Sequence, residues 1–271
     1  MEFENTRLQI RDVTLNVVIE GHGPPVLLVH GFPDDHSVWR AQIPALVKGG
    51  FQVIAPDMRG CGRSDAPPER AAYHIDQLVG DLVGLLDRLG INTVRLVGHD
   101  WGAFICWYLC LRHPERIDRY AALSVGHPAA YARGSIEQKL KGYYVLLLQL
   151  RGLAEWALRA RDWRLFRSLT GFPTECPHWI ANLSRPGRLT AAINYYRANL
   201  SLILARNLPP ATVPVMGIWS SGDRFLAEAQ MRSSAHWVRG PWRYERIEGA
   251  NHWLQLDAAD QVNTLLLDYL R

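Results

Sequence analysis

The sequence predicts an α/β fold: a mostly parallel, eight-stranded sheet with helices on both faces and a helical segment inserted into it. Three observations predict it. Near-continuous apolar runs such as VLLVH (26–30) alternate with helical patterns over residues 26–129, and a strand covered on both faces needs such a run. From about 130 to 207 helical patterns continue without a convincing strand. Strand and helix then alternate again to the end. The economical division is a core made of 1–129 and 208–271, with 130–207 as a helical cap above it.

Each element has its own signal. TRLQIRDVTLNVVIE (6–20) alternates in polarity like a strand pair and is closed by Gly21-His22-Gly23-Pro24-Pro25. After VLLVH, residues 37–48 read as a helix, FQVIAP (51–56) as a strand, and 75–89 as a helix with Leu78, Leu82, Leu85, Leu86 and Leu89 on one side. TVRLVG (93–98) is the next strand, 101–113 the next helix, and IDRYAALSV (117–125) the last strand before the insertion. The cap follows His127-Pro128 and contains the turn sequences GFPTECP and SRPG. VPVMGIWS (213–220) restores the sheet; a helix near 225–237, the strand WRYERI (242–247) and a closing helix over 254–270 complete it.

Composition narrows the function. The 271 residues are 48% hydrophobic and 21% charged, with a formal net charge of +4 spread along the chain. The densest basic stretch, 159–167, interleaves arginines with Trp163, Leu165 and Phe166, which predicts an amphipathic helix rather than a nucleic-acid surface. No apolar run approaches the roughly 18 residues of a membrane span. The mixed, acidic start MEFENTRLQIRD is unlike a secretory signal. Cys61, Cys106, Cys110 and Cys176 show no paired framework, so a reducing, cytoplasmic setting is expected. No cofactor or metal is expected.

The chemistry is announced by LVGHDWGAF (96–104). Gly98-x-Asp100-x-Gly102 between a strand and a helix has the spacing of a nucleophile elbow. The turn is so sharp that small residues must flank the central one, and it thrusts that side chain beyond the edge of the sheet. A carboxylate there is a poor attacker of esters or amides, but it can displace a leaving group from an sp³ carbon and form an alkyl ester. Water activated by histidine must then hydrolyse that ester. In this architecture the chain order is nucleophile, acid, histidine. Asp223 follows the strand VPVMGIWS in the turn SSGDRF, and His252 follows WRYERI in EGANHW. Either residue alone reads as an ordinary turn or loop residue; three at the ends of three strands in the right order read as a triad. Glu228 and Glu248 are fallback acids. His30-Gly31-Phe32-Pro33 ends the strand 26–30, and the amides of Phe32 and Trp101 are the expected oxyanion donors. Phe32–Pro33 is a candidate cis peptide. Substrate contacts are expected from Phe32, Trp39, His99 and Trp101.

These motifs are similar to those of the epoxide hydrolases of the α/β-hydrolase fold, particularly the soluble type. The resemblance runs through HGFPDDHSVWRAQIPAL, VIAPDMRGCGRSDAPPE, LLDRLGINTVRLVGHDWGAFICWYLCLRHPERI and ANHWLQLDAADQVN. It implies two cap tyrosines that polarise the epoxide oxygen. They map to Tyr196, within INYYRAN (193–199), and to Tyr144, five residues before Gln149; Tyr143 and Tyr195 are the adjacent alternatives. Neutral phenols, with a pKa of roughly 10, can donate a proton at pH 7.

The expected substrate is a small hydrophobic epoxide, with water as co-substrate. The cap aromatics Trp156, Trp163, Phe166, Phe172 and Trp179 suggest its character. Oligomeric state is not legible, and a homodimer is compatible with the sequence. The nearest rival is a haloalkane-type dehalogenase, with the same aspartate and with Trp101 and Trp39 as halide ligands. The rival of another class is a fold that binds without catalysis. A serine esterase is excluded at the elbow, and Ser124 and Ser220 lack elbow flanks.

Overall fold

The structure, a computed structural model, describes residues 3–271. The chain opens with β1 (Asn5–Ile10), β2 (Val13–Glu20) and β3 (Pro25–Val29). A 3₁₀ turn (His36–Trp39) and α1 (Gln42–Lys48) lead to β4 (Gln52–Pro56). Next come α2 (Ile75–Arg88), β5 (Val94–His99), α3 (Trp101–Arg112) and β6 (Ile117–Leu123). Helices alone fill the interval before β7 (Val215–Ser220). They are α4 (Pro128–Ala132), α5 (Ile136–Lys141), α6 (Tyr144–Leu147), α7 (Leu153–Thr170), α8 (Cys176–Ser184), α9 (Arg188–Ala198) and α10 (Leu200–Ile203). After β7 follow α11 (Glu228–Ser233), β8 (Trp242–Ile247), α12 (Leu254–Asp257) and α13 (Ala259–Leu270).

The eight strands form one sheet in the order β1-β2-β4-β3-β5-β6-β7-β8. β1 and β2 pair antiparallel, β2 meets β4 antiparallel, and the remaining pairs are parallel. The chain winds outward from β3 to β4, then crosses to β5 on the other side. That reversal opens a crevice beyond the carboxyl ends of β3 and β5, where ligands bind in open α/β sheets.

The expected burial holds in the centre. Val26, Leu27, Leu28 and Val29 of β3 are fully buried, as are Leu78, Leu82, Leu85 and Leu86 of α2. α3 buries ten of its 12 residues, Cys106 and Cys110 among them, so these thiols are core packing. All four cysteines are free.

Four helices differ from expectation, one of them the helix expected near 225–237, where α11 ends at Ser233 and a 3₁₀ turn (Ser234–Trp237) follows. Residues 37–48 split into the 3₁₀ turn and α1, and the closing helix divides at Ala258. The amphipathic helix expected over 159–167 is broken. α7 kinks at Ala160–Trp163, where Arg161, Asp162 and Trp163 all have positive φ. No glycine marks that break; it turns Trp163 inward, edge-on to Phe166 with ring centres 5.6 Å apart.

Candidate active site

The elbow forms as its glycines require. Asp100 has φ 50° and ψ −122°, a strained conformation for a non-glycine residue, held between β5 and α3. A Cβ at Gly98 would stand 2.8 Å from the Ala103 Cα, and one at Gly102 would strike the Val29 carbonyl. Sheet register then sets the partner loop. Val29 pairs with Gly98, so the residues just beyond each strand end come face to face. The Phe32 amide donates to Asp100 Oδ1 at 2.7 Å, and the Phe32–Pro33 bond is cis. Trp101 opens α3, whose first amides have no carbonyl partner within the helix.

The second and third predicted residues arrive from β7 and β8. Asp223 lies three residues past Ser220, which pairs with Ile247; His252 lies five past Ile247. His252 Nδ1 is 2.9 Å from Asp223 Oδ2, and its Nε2 is 3.6 Å from Asp100 Oδ2. The other oxygen of Asp223 accepts the amides of Phe225 at 2.8 Å and Leu226 at 2.9 Å. The alternative acids are engaged elsewhere: Glu228 takes Arg232 and the Tyr244 hydroxyl, and Glu248 takes Arg246. Ser124 and Ser220 donate to the carbonyls of His252 and Asn251, so both hydroxyls brace the histidine loop.

Electrostatics follow from one imidazole between two carboxylates. Burial disfavours the charged form of His252, but the charges of Asp223 and Asp100 outweigh it and push its pKa up to about 10. Burial alone would raise the Asp100 pKa; the hydrogen bond and charge of His252 reverse this and hold it below the usual carboxylate range. Both shifts favour the imidazolium form of His252 between two carboxylates.

Two apolar chambers meet at Asp100. One, of about 430 Å³, is bounded by Trp101, Phe104, Val125, Tyr131, Ile203 and Leu226. The other, of about 560 Å³, is bounded by Phe32, Leu158, Phe166, Phe225, His252 and Trp253. Asp100, Tyr144 and Tyr196 border both. The two tyrosine rings are 6.0 Å apart and nearly perpendicular. Burial, reinforced for Tyr196 by the Asp100 charge, pushes both phenols well above their ordinary pKa, so they remain neutral donors. The adjacent alternatives are occupied or turned to solvent. The Tyr195 hydroxyl donates to the Arg59 carbonyl at 2.7 Å, and Tyr143 is exposed.

Two expected substrate contacts fall elsewhere. Trp39 is fully buried in the hydrophobic core and borders neither chamber, because the 3₁₀ turn directs Val38 and Trp39 inward. His99 is fully buried behind the site, with Nε2 donating to the His252 carbonyl at 2.9 Å. Burial lowers its pKa to about 3, so it stays neutral. Among the cap aromatics, Phe166 lines a chamber, whereas Trp156 is exposed.

Residues outside the predicted set complete the site. Phe225 and Trp253 pack on the His252 ring, each with centres 5.0 Å away. Their signal was adjacency to Asp223 and His252. Asp34, in HGFPDD, is buried and accepts the indole N–H groups of Trp179 at 2.8 Å and Trp253 at 3.0 Å. It thereby links α8 to the loop after β3. Asp35, His36 and Asp57 cluster closely enough to hold a cation. Their carboxylates, however, already accept Ser37, His36 and Arg63 amides and the Asn16 and Asn182 side chains.

A family model described as alpha/beta hydrolase fold matches residues 24–259. The chain is 32% identical to Epoxide hydrolase 3 of Xenopus tropicalis, over 98% of this chain and 77% of that protein. It is also 32% identical to Epoxide hydrolase A of Mycobacterium tuberculosis, over 95% and 94%. The crystal structure of Epoxide Hydrolase A from Mycobacterium thermoresistibile superposes with a TM-score of 0.83 at 31% identity, covering 99% of this chain and 98% of that one. The chain belongs to the α/β-hydrolase fold family and, within it, to the epoxide hydrolases.

Proposed function

We propose that this enzyme converts a hydrophobic epoxide and water to a vicinal diol through an alkyl ester on Asp100. One observation carries the reading: Asp100 is held at Oδ1 by the Phe32 amide and faces His252 at Oδ2, on a wall shared with Tyr144 and Tyr196. Oδ2 attacks an epoxide carbon, the C–O bond breaks, and a phenol of Tyr144 or Tyr196 protonates the departing oxygen. Alkylation removes the Asp100 charge. With one of its two carboxylates gone, His252 gives its proton to the phenolate, which restores the phenol, and becomes a base when a base is needed.

Water then gives a proton to His252 and attacks the ester carbonyl. The oxyanion, formed on Oδ1, is met by the amides of Phe32 and Trp101. Collapse breaks the ester; the imidazolium protonates the second diol oxygen, and the proton left on the Asp100 carboxyl passes to His252, restoring the resting pair. Asp223 holds the imidazole in its working tautomer.

Residues 130–207 form a cap over a core of 1–129 and 208–271 in this reading. Support comes from the placement of Tyr144 and Tyr196 on the inserted helices and from ties at the seam. Beyond Asp34, Arg40 pairs with Glu175 at 2.6 Å, and Asn182 donates to Asp35 at 2.7 Å. Away from Asp100, His252 and the tyrosines the chamber walls are mainly apolar, which favours apolar substituents on the epoxide. A dehalogenase needs halide donors, and Trp39 is buried away from the chambers.

The test is a panel of styrene-type, aliphatic and polycyclic epoxides read by diol formation, beside alkyl halides read by halide release. Diol from at least one epoxide, with little halide released, is expected. Halide release without diol would overturn the assignment.

A further inference from the structure

Among the described residues ten large apolar side chains are exposed, and all ten lie between residues 136 and 204. Ile136 is 76% exposed, Leu140 70%, Leu146 63% and Trp156 68%. Single exposed leucines need no explanation. These, however, recur: Ile136, Leu140, Tyr143, Leu147 and Leu150 are spaced three or four apart, the interval of one helical face, across α5, α6 and their turns.

Charge concentrates on the same segment. Residues 130–207 carry twelve Lys/Arg against four Asp/Glu, a net of +8, whereas the other residues carry 18 against 22, a net of −4. Lys139, Arg151, Arg159 and Arg206 are exposed around the apolar side chains. A groove of about 910 Å³ runs through the patch, bordered by Lys139, Tyr143, Leu146, Leu204 and Arg206. Tyr131, Val145 and Ile203 form part of its wall and also part of the smaller chamber at Asp100.

We propose that this face docks on the surface of an anionic lipid bilayer, with the leucines and Trp156 among the acyl chains and the Lys/Arg at the headgroups. An apolar stripe rimmed by cations fits such a surface on both counts. A second copy fits it less well, since a shared interface would bring together two faces that each carry Lys139, Arg151, Arg159 and Arg206. No described helix is long and apolar enough to cross the membrane, so the contact is peripheral. Delivery of an apolar epoxide from the lipid through the groove to Asp100 is a consequence that rests on the proposed function; docking itself does not.

The experiment is flotation of the full chain with vesicles of phosphatidylcholine alone or with about 30 mol % phosphatidylglycerol. The expected result is binding to the anionic vesicles only, weakened at least about tenfold by Leu140→Ser/Leu147→Ser and by Lys139→Glu/Arg151→Glu. High salt should weaken it as well. Both pairs are exposed, so folding and turnover of a water-soluble epoxide should not change. Equal flotation of the variants, or no flotation of the parent chain, overturns the proposal. So does a dimer in sedimentation that Leu140→Ser/Leu147→Ser dissolves, which would assign the face to a second copy. Turnover of the soluble epoxide is read separately, so loss of docking and loss of the enzymatic reading are distinguishable.

Discussion

His252 stands between two carboxylates, with Nδ1 2.9 Å from Asp223 and Nε2 3.6 Å from Asp100. In the proposed mechanism the second distance links the two half-reactions: while Asp100 is charged the imidazole keeps its proton, and once Asp100 is an ester the imidazole can take one from water.

The first prediction concerns that proton. Asp100→Asn removes one of the two charges that raise His252 from its ordinary 6.5 to about 10. The pKa, followed by the ring-proton NMR resonance, should fall toward 6.5 in the variant. A raised folded-state pKa also fixes the sign for stability. The contribution of His252 is complete below about pH 6.5 and is lost as pH rises through about 10. Chemical denaturation of the parent chain between these limits should therefore show falling stability, and the Asp100→Asn variant a flatter profile. An unchanged pKa in that variant would break the proposed coupling.

The second prediction separates the two steps. His252→Gln should still be alkylated, since attack by Asp100 does not need a base. Hydrolysis does, and general-base catalysis contributes about 10²–10⁴ in rate. Intact-protein mass spectrometry should show the variant heavier by the mass of one epoxide, stable for minutes or longer. Asp223→Asn should accumulate the same ester to a lesser degree. A variant that turns over without any adduct contradicts the covalent route.

The third prediction concerns the phenols. Tyr144→Phe and Tyr196→Phe each remove a donor from the wall facing Asp100 while keeping the ring that packs there. Each should slow alkylation by about 10²–10³, and the double variant should nearly abolish it. Neither should change unfolding free energy by more than about 1 kcal/mol. Stopped-flow single turnover reads the rate directly; full activity in the double variant would remove both tyrosines from the mechanism.

Much of this site was legible because strand ends are legible. VLLVH and TVRLVG are unmistakable buried strands, and the parallel register that pairs Val29 with Gly98 brings Phe32 to Asp100. Asp223 and His252 were readable for the same reason, each lying just beyond a strand. Trp39 and His99 were misplaced because nearness to a catalytic residue in sequence does not set side-chain direction. A 3₁₀ turn buries one, and strand alternation sends the other away from Asp100. The break in α7 carried no signal, since Arg161, Asp162 and Trp163 occupy left-handed backbone that sequence assigns to glycine. The second ring of the site, Phe225, Trp253 and Asp34, depends on contacts between distant segments that periodicity does not encode.

The central claim is that Asp100, not water, forms the first bond to the epoxide. A single turnover in water labelled with heavy oxygen, with enzyme in excess, tests it most directly. The account predicts largely unlabelled diol from that turnover and one heavy oxygen in the Asp100 carboxylate, located by mass spectrometry of the peptide containing it. Later turnovers should carry the label into product. Labelled diol in the first turnover, with an unlabelled Asp100, would mean direct attack by water and would contradict the account.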